Sequence, residues 1–359
     1  MTIDCVRAPR KEAETIRRKL SDSGALATGI KVHREGDYIY FPIATTTKLP
    51  KALEKFRAKA EFEQVFAQPA RGNLGDSLKA LGKISPRDAD SIVNSYDCVG
   101  DIAIVEVPPE ISGIEKKIGE AILAQNTHIK VVARKESPME GVFRVRKLKV
   151  IAGENRTETL YKESGCSILL DVAKVYFSVR LAHERLRIEA QVKKKEKILA
   201  LFAGVGPFAL VIAKKHPDCE IVGIELNPAA VEYFEKNITL NKARNVKAIL
   251  GDVNKVVPAK YRGFADRIMM PLPHTAGDFL DAALVGANPR GCKVHFYGFV
   301  QTRDEETKNE IKDIYAPLVK LIKGKCAKAK LQCRITNKRV VRPYAPYMVQ
   351  ASIDFTVRK

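Results

Sequence analysis

The chain has 359 residues, 45% hydrophobic and 29% charged, with 62 Lys and Arg against 42 Asp and Glu, a net charge of +20 and a pI near 9.6. Such a length allows two or three domains with cores of their own, and the composition excludes a disordered chain. No apolar run approaches the roughly 20 residues of a membrane-spanning helix, and the surplus of cations makes nucleic acid the expected polyanionic partner.

In chain order, the opening MTIDCVRAPRKEAETIRRKL has no apolar segment of the secretory kind, so a cytoplasmic setting is expected. Residues 1–70 read as a small α+β module. An amphipathic helix is predicted over Glu12–Ser21, a strand over GDYIYFPI (36–43) and a charged helix over 51–65, before a Gln68-Pro69-Ala70-Arg71-Gly72-Asn73 linker. A second α+β block spans 73–168. It starts with the helical NLGDSLKALG, and strands are predicted over CVGDIAIVEVP (98–108), HIKVVARK (128–135), FRVRKLKVIAG (143–153) and TETLYKE (157–163). Alternation in FRVRKLKV would set Arg144 and Arg146 on one face of a strand and Lys147 and Lys149 on the other, which suits RNA on one side or an edge strand.

From about 169 the pattern becomes βαβ repetition. Helical spacing over 180–192 is followed by apolar runs at 197–204, 220–226, 246–252, 265–272 and 293–300, with helices between them. That predicts a Rossmann-like α/β domain over 169–359, a parallel sheet with helices on both faces. Its edge would be closed by two antiparallel strands within 328–357. Positive charge is clustered: residues 128–200 hold 17 Lys and Arg against 9 Asp and Glu, and nine bases with no acid lie between Lys320 and Arg342. Tyr344, Pro346 and Tyr347 follow that run and offer stacking surfaces beside phosphate contacts. Seven scattered cysteines (5, 98, 166, 219, 292, 326, 333), without CxxC or His-x-His spacing, argue for reduced thiols and against a metal site.

The turn LFAGVGPF (201–208) follows a buried strand and opens a helix. Gly204 and Gly206 allow a tight turn and a close approach of backbone to a ligand. Glu225, ending the second strand, stands where a ribose diol is gripped; Asp252, ending the third, is placed for an adenine amino group. Gly204-x-Gly206-x-x-Ala209 also fits a dinucleotide fingerprint. Pro207-Phe208 in place of a third glycine, and the rigid Met270-Pro271-Leu272-Pro273 ending the fourth strand, favour S-adenosylmethionine over a nicotinamide cofactor.

With these blocks in order, the chain resembles the archaeal and eukaryotic tRNA (guanine-37-N1)-methyltransferases, class I S-adenosylmethionine-dependent enzymes. The likeness runs through GDYIYFPI, CVGDIAIVEVP, FRVRKLKVIAGENRTETLYKESGC, LDVAKVYFSVRLAHERLRI and LFAGVGPF. It implies that Glu184 is the base that removes the guanine N1 proton and that Arg144 faces O6. On its own helix Glu184 could equally pair with Arg180 or Arg187. The resemblance further implies Tyr176 and Phe177 as pocket walls, with Phe202, Ala203, Val205, Leu226, Val253, Leu272 and Pro273 beside the glycines and carboxylates. Candidate RNA contacts are Arg146, Arg180, Arg185, Lys193, Lys328 and Arg339. A monomer binding tRNA through all three regions is expected, with the target base turned out into the pocket.

One position departs from the family pattern. Pro271 stands where an asparagine side chain ordinarily meets the target base, and proline offers neither amide nor N–H. The departure leaves open C7-methylation of a tricyclic wyosine precursor at the same tRNA position, or aminocarboxypropyl transfer from the same cofactor. It also leaves open a non-catalytic RNA-binding protein that keeps a methyltransferase fold. His274 and Thr275 are the nearest side chains that could remake the base contact.

Overall fold

A computed structural model describes residues 2–26, 33–43, 49–61, 96–272, 275–303 and 310–359. The chain divides into two compact units, Met1–Asn94 with Pro108–Thr127, and Ser95–Val107 with His128–Lys359.

In the first unit, β1 (Thr2–Pro9), β2 (His33–Glu35), β3 (Tyr38–Pro42) and β4 (Arg57–Glu61) form an antiparallel sheet in the order β2-β3-β1-β4. Helix α1 (Ala13–Asp22) buries Ala13, Ile16 and Leu20, the i, i+3, i+7 stripe its periodicity announces. Those side chains join Val6, Phe41 and Leu53 in one core. Within 51–61, the described part of the helix expected over 51–65, no α-helix is formed. Lys51–Phe56 is a short 3-10 turn and RAKAE pairs with β1 as a strand, its period-2 pattern winning over weak helical spacing. The predicted opening helix at 73–82 lies outside the described residues. This unit also holds α2 (Glu115–Gln125).

The second unit carries β5 (Asp97–Val99), β6 (Ile102–Val105), β7 (Val131–Lys135) and β8 (Leu148–Gly153) as a mixed four-stranded sheet. A hairpin follows, β9 (Glu158–Glu163) with β10 (Cys166–Asp171). Only the second half of the expected strand 143–153 is a ladder strand. Arg144 has φ +53° in a turn closed by the Glu140–Val145 bridge, so the predicted two-faced array of Arg144, Arg146, Lys147 and Lys149 does not exist as such.

The main sheet comprises β11 (Lys197–Leu201), β12 (Glu220–Glu225), β13 (Val246–Leu250), β14 (Arg267–Met270), β15 (Cys292–Gln301), β16 (Gln332–Ala345) and β17 (Met348–Arg358). Their order is β13-β12-β11-β14-β15-β17-β16; the first five are parallel, and β17 and β16 close the edge antiparallel. The expected Rossmann-like sheet with its terminal strand pair is thus present. Helices α3 (Ala182–Glu189), α4 (Pro207–Lys215) and α5 (Pro228–Leu240) contribute to one core with Ile198, Ala200, Ile221 and Met269. Helices α6 (Val253–Lys260), α7 (Leu280–Gly286) and α8 (Ala316–Lys328) contribute to the other with Leu199, Leu201, Val222 and Ile268. Odd and even strand residues therefore face opposite cores, which is why these strands are apolar throughout. The chain leaves β11 toward β12 on one side and β14 on the other, so a crevice opens at the carboxyl end of β11.

Candidate active site

The crevice is floored by the glycine turn. Phe202, Gly204 and Gly206 all have positive φ (+57°, +55° and +86°), and the Ala203 N–H donates to the Ile224 carbonyl at 3.0 Å. The two glycines serve different ends. A Cβ on Gly204 would meet only the Tyr176 carbonyl oxygen, at 3.6 Å, so its near side is open for a ligand. A Cβ on Gly206 would lie 2.1 Å from the Phe234 ring, which fills the space beneath the turn and also abuts Gly223. The Cβ direction of Gly206 is thus filled by Phe234, a buried core side chain, so packing alone requires glycine there.

Glu225 sits at the end of β12, its carboxylate held from three directions. The Gly204 N–H donates to Oε2 at 2.8 Å, and the Leu226 and Asn227 N–H groups donate to Oε1 at 2.9 Å each. A fixed acceptor of this kind suits a pair of ribose hydroxyls. It does not suit a pyrophosphate: the Gly204 N–H is already used, the carboxylate repels phosphate, and Pro207 removes a donor from the first turn of α4. The donor set fits a nucleoside such as that of S-adenosylmethionine rather than a dinucleotide. Asp252, at the end of β13, accepts from the Asn254 N–H at 2.8 Å and caps α6. Val253 beside it is buried, and Leu226 is exposed at the rim. Pro271 and Leu272 are half-buried after β14, and Leu272 N–H turns back to the Met270 carbonyl at 2.9 Å. Pro273 and His274 lie outside the described residues.

Tyr176 and Phe177 come to the same region. The Arg144 guanidinium lies 5.6 Å from the Tyr176 ring centroid, and Phe177 packs edge-on to Tyr161 at 5.1 Å. Arg144 and Tyr176 are thus a cation–π pair, brought together although 32 positions apart in the chain.

Glu184, in the first turn of α3, is 1% exposed. Its Oε2 accepts from the Tyr297 hydroxyl at 2.8 Å and from Arg187 Nε at 2.9 Å. Its Oε1 has no hydrogen bond; Arg339 Nη1 stands 3.1 Å away as an ion pair without hydrogen-bond alignment. Pairing with Arg187 therefore coexists with an open second oxygen, whereas Arg180 pairs with Asp97 instead. Behind Glu184 a buried chain of polar groups crosses the sheet. Arg187 binds Asp354 at 2.5 Å, Asp354 receives His295 Nδ1 at 2.7 Å, and His295 Nε2 faces Arg267 Nη1 at 2.7 Å, with Arg267 on Glu196. A guanidinium only donates, so His295 Nε2 is the acceptor and the ring is the neutral Nδ1–H tautomer. Burial pushes the His295 imidazole down, in agreement. Burial likewise pushes the Tyr297 hydroxyl well above its ordinary range, the Glu184 charge adding to it, so Tyr297 remains a donor. Tyr297, His295 and Asp354 were not singled out from the sequence; they lie in apolar-looking strands, and no local pattern marks them.

Arg185 is a correction. Expected among the RNA or cofactor contacts, it is 1% exposed, its guanidinium doubly bonded to Glu163 and to the Ser178 carbonyl. No phosphate can reach it there. Lys193 and Lys328 are exposed, and Arg146 is half-buried. Among the described residues one group, His216, Asp218 and Cys219, has metal-ligand atoms within 4.8 Å of one another. Each is already bonded within the chain, to Glu189, Lys195 and Lys193.

Comparison with known proteins identifies the family. The model of the TRM5/TYW2 methyltransferase domain matches residues 159–321, that of the TYW2 N-terminal domain 76–157, and that of the tRNA methyltransferase 5 N-terminal domain 5–48. The tRNA (guanine(37)-N(1))-methyltransferase Trm5b of Pyrococcus abyssi is 38% identical over 353 residues, 98% of each chain. A solved complex of aTrm5 and tRNALeu superposes with a TM-score of 0.67 at 33% identity, covering 98% of this chain and 99% of that one. The tRNA (guanine(37)-N(1))/4-demethylwyosine(37)-methyltransferase Taw22 of Nanoarchaeum equitans is 36% identical over 276 residues, 62% of this chain and 90% of the relative.

Proposed function

The chain belongs to the TRM5/TYW2 methyltransferase family, and we propose that it transfers the methyl group of S-adenosylmethionine to N1 of guanosine 37 in tRNA. The observation that carries this reading is Glu184, a buried carboxylate with one oxygen clamped by two hydrogen bonds and the other without one, facing Arg339. Guanine N1 bears a proton and is a poor nucleophile until that proton is taken, so the reaction needs a base at this point.

The cofactor, when bound, supplies an electrophilic methyl group on sulfur. Glu225, oriented by three N–H groups, would accept from the ribose hydroxyls, and Asp252 from the adenine amino group. The open face of Gly204, with Phe202, Ala203 and Val205, and the half-buried Pro271 and Leu272 would form the walls. Tyr176 and Phe177 would close the reacting end and exclude water. Glu184 Oε1 takes the N1 proton while Tyr297 and Arg187 keep Oε2 fixed. Arg144 stabilises the charge that develops on O6, a term of the oxyanion-hole kind.

For the RNA, residues 1–70 would recognise the tRNA body, while 73–168 and 169–359 would hold the anticodon arm. No described helix is long and apolar enough to cross a membrane; we place the protein in the cytoplasm, acting as a monomer. A second reading, C7-methylation of a wyosine precursor at position 37, is favoured by Pro271 and by the match to a relative named for both activities. One experiment tests both: full-length protein with labelled S-adenosylmethionine and tRNA carrying G37, A37 or 4-demethylwyosine at position 37, followed by nucleoside mass spectrometry. 1-Methylguanosine from the G37 transcript is expected, and label in the tricyclic base would carry the second reading. Label in none of the three, with cofactor binding intact, would overturn the assignment.

A further inference from the structure

Strand β14 ends at Met270, opposite Phe296, but its neighbours run on: β15 to Gln301, with β17 and β16 paired alongside as far as Met348 and Ala345. Three strands thus extend beyond the carboxyl end of the parallel sheet. Their register aligns two rows on the face that carries Glu184. Tyr297, Ser352 and Arg339 make the inner row, with Tyr297 and Arg339 against Glu184. Phe299, Gln350 and Arg342 make the next row outward, one two-residue strand repeat or about 7 Å further. There Tyr344 lies on Phe299 with ring centroids 4.0 Å apart, 43% exposed. Arg342, pinned by Gln350 at 2.8 Å, has its guanidinium 6.0 Å from the Tyr344 ring.

We propose that this sheet extension is a stacking platform for an unpaired base flanking the methylated one, with Tyr344 as the stacking surface and Arg342 the contact to the intervening phosphate. The proposal rests on the reading of the substrate as the anticodon loop of tRNA. Turning out the target base removes a stacking partner from its neighbour, and an aromatic face one strand repeat from the base-accepting carboxylate restores it. A backed, half-exposed tyrosine among guanidinium groups, in a stretch with nine bases and no acid from Lys320 to Arg342, fits nucleic acid rather than an apolar protein partner.

The chain has no tryptophan, so Tyr344→Trp in the full-length protein puts a single indole on the platform. Titration with an anticodon stem-loop RNA bearing G37 should quench it saturably, at the Kd that anisotropy of the labelled RNA gives; no quench on bound RNA overturns the proposal. Tyr344→Ala should weaken that RNA about tenfold at fixed salt, the worth of one stacked base. Cofactor affinity and the slope of binding on salt should stay as they were. Binding within twofold of the unaltered protein overturns the proposal. Should Tyr344→Ala lose cofactor binding, and so its fold, Tyr344→Leu is judged by the same criterion. Methylation by the unaltered protein is read in parallel. RNA bound and quenching without G37 methylation overturns the catalytic reading and upholds the platform; G37 methylation with Tyr344→Ala indifferent overturns the platform alone.

Discussion

At the scale of single residues, the buried chain from Glu196 to Tyr297 pairs acid with base behind Glu184. Glu196 and Arg267 cancel, His295 is neutral, and Asp354 and Arg187 cancel. Glu184 shares Arg187 with Asp354 and has the half-exposed Arg339 3.1 Å from its second oxygen. A charge in that position is costly unless it has a use. Glu184→Gln keeps the shape and removes the basicity. Turnover should fall by about 10²–10⁴, the range for loss of a general base, with cofactor Kd unchanged. Single-turnover methylation and calorimetry check this, and turnover within tenfold of the unaltered protein would sink the assignment. Tyr297→Phe leaves Oε2 to Arg187 alone. It should lower stability by about 1.5–3 kcal/mol, the worth of a hydrogen bond to a charged group, and reduce turnover less than Glu184→Gln does.

Among elements, the glycine turn separates two roles that look identical in sequence. Gly206→Ala must displace Phe234 and hold alanine at φ +86°, so unfolding free energy should fall by more than the roughly 1–2 kcal/mol of left-handed backbone strain. Gly204→Ala carries only that backbone strain and should show its larger effect as weakened cofactor binding. Denaturant melts beside calorimetric titration distinguish the two, and equal stability losses would refute the division. The same turn shows what the sequence makes legible. Strand periodicity, α1, the order of βαβ units and the acid at the end of β12 were readable because each is a local pattern. The strand at Arg57–Glu61 was not, since RAKAE alternates as well as it spirals and its partner β1 is about fifty residues away. Arg185 read as a surface cation because its partner, Glu163, lies on another element. Arg144 was placed on a strand although its backbone turns there, and only the bridge between Glu140 and Val145 reveals it.

Over the whole molecule, charge sets two dependences. The first is on pH. His295 is held neutral by burial, below its unfolded value of about 6.5. The unfolded chain then binds the extra proton as pH falls, so this stability is present above about pH 6.5 and is lost on acidification. Asp354, which His295 and Arg187 hold below the usual carboxylate range against the opposing effect of burial, adds a further loss below about pH 4. Melting temperature should therefore decline from neutrality downward, and a flat profile between pH 7 and 5 would contradict the neutral His295. The second dependence is on salt. A chain at +20 should bind tRNA with an affinity that falls linearly in log–log form as salt rises, because each phosphate contact releases counterions. Exposed Lys193 and Lys328 and buried Arg185 then part company. Lys193→Gln and Lys328→Gln should each reduce the slope by about 1 if they meet phosphates. Arg185→Gln should leave the slope alone and instead destabilise the fold by about 3–5 kcal/mol, because Glu163 is stranded without its partner. Anisotropy titrations at three salt concentrations, with a denaturant melt for each variant, decide between a surface contact and a structural ion pair at every one of these positions.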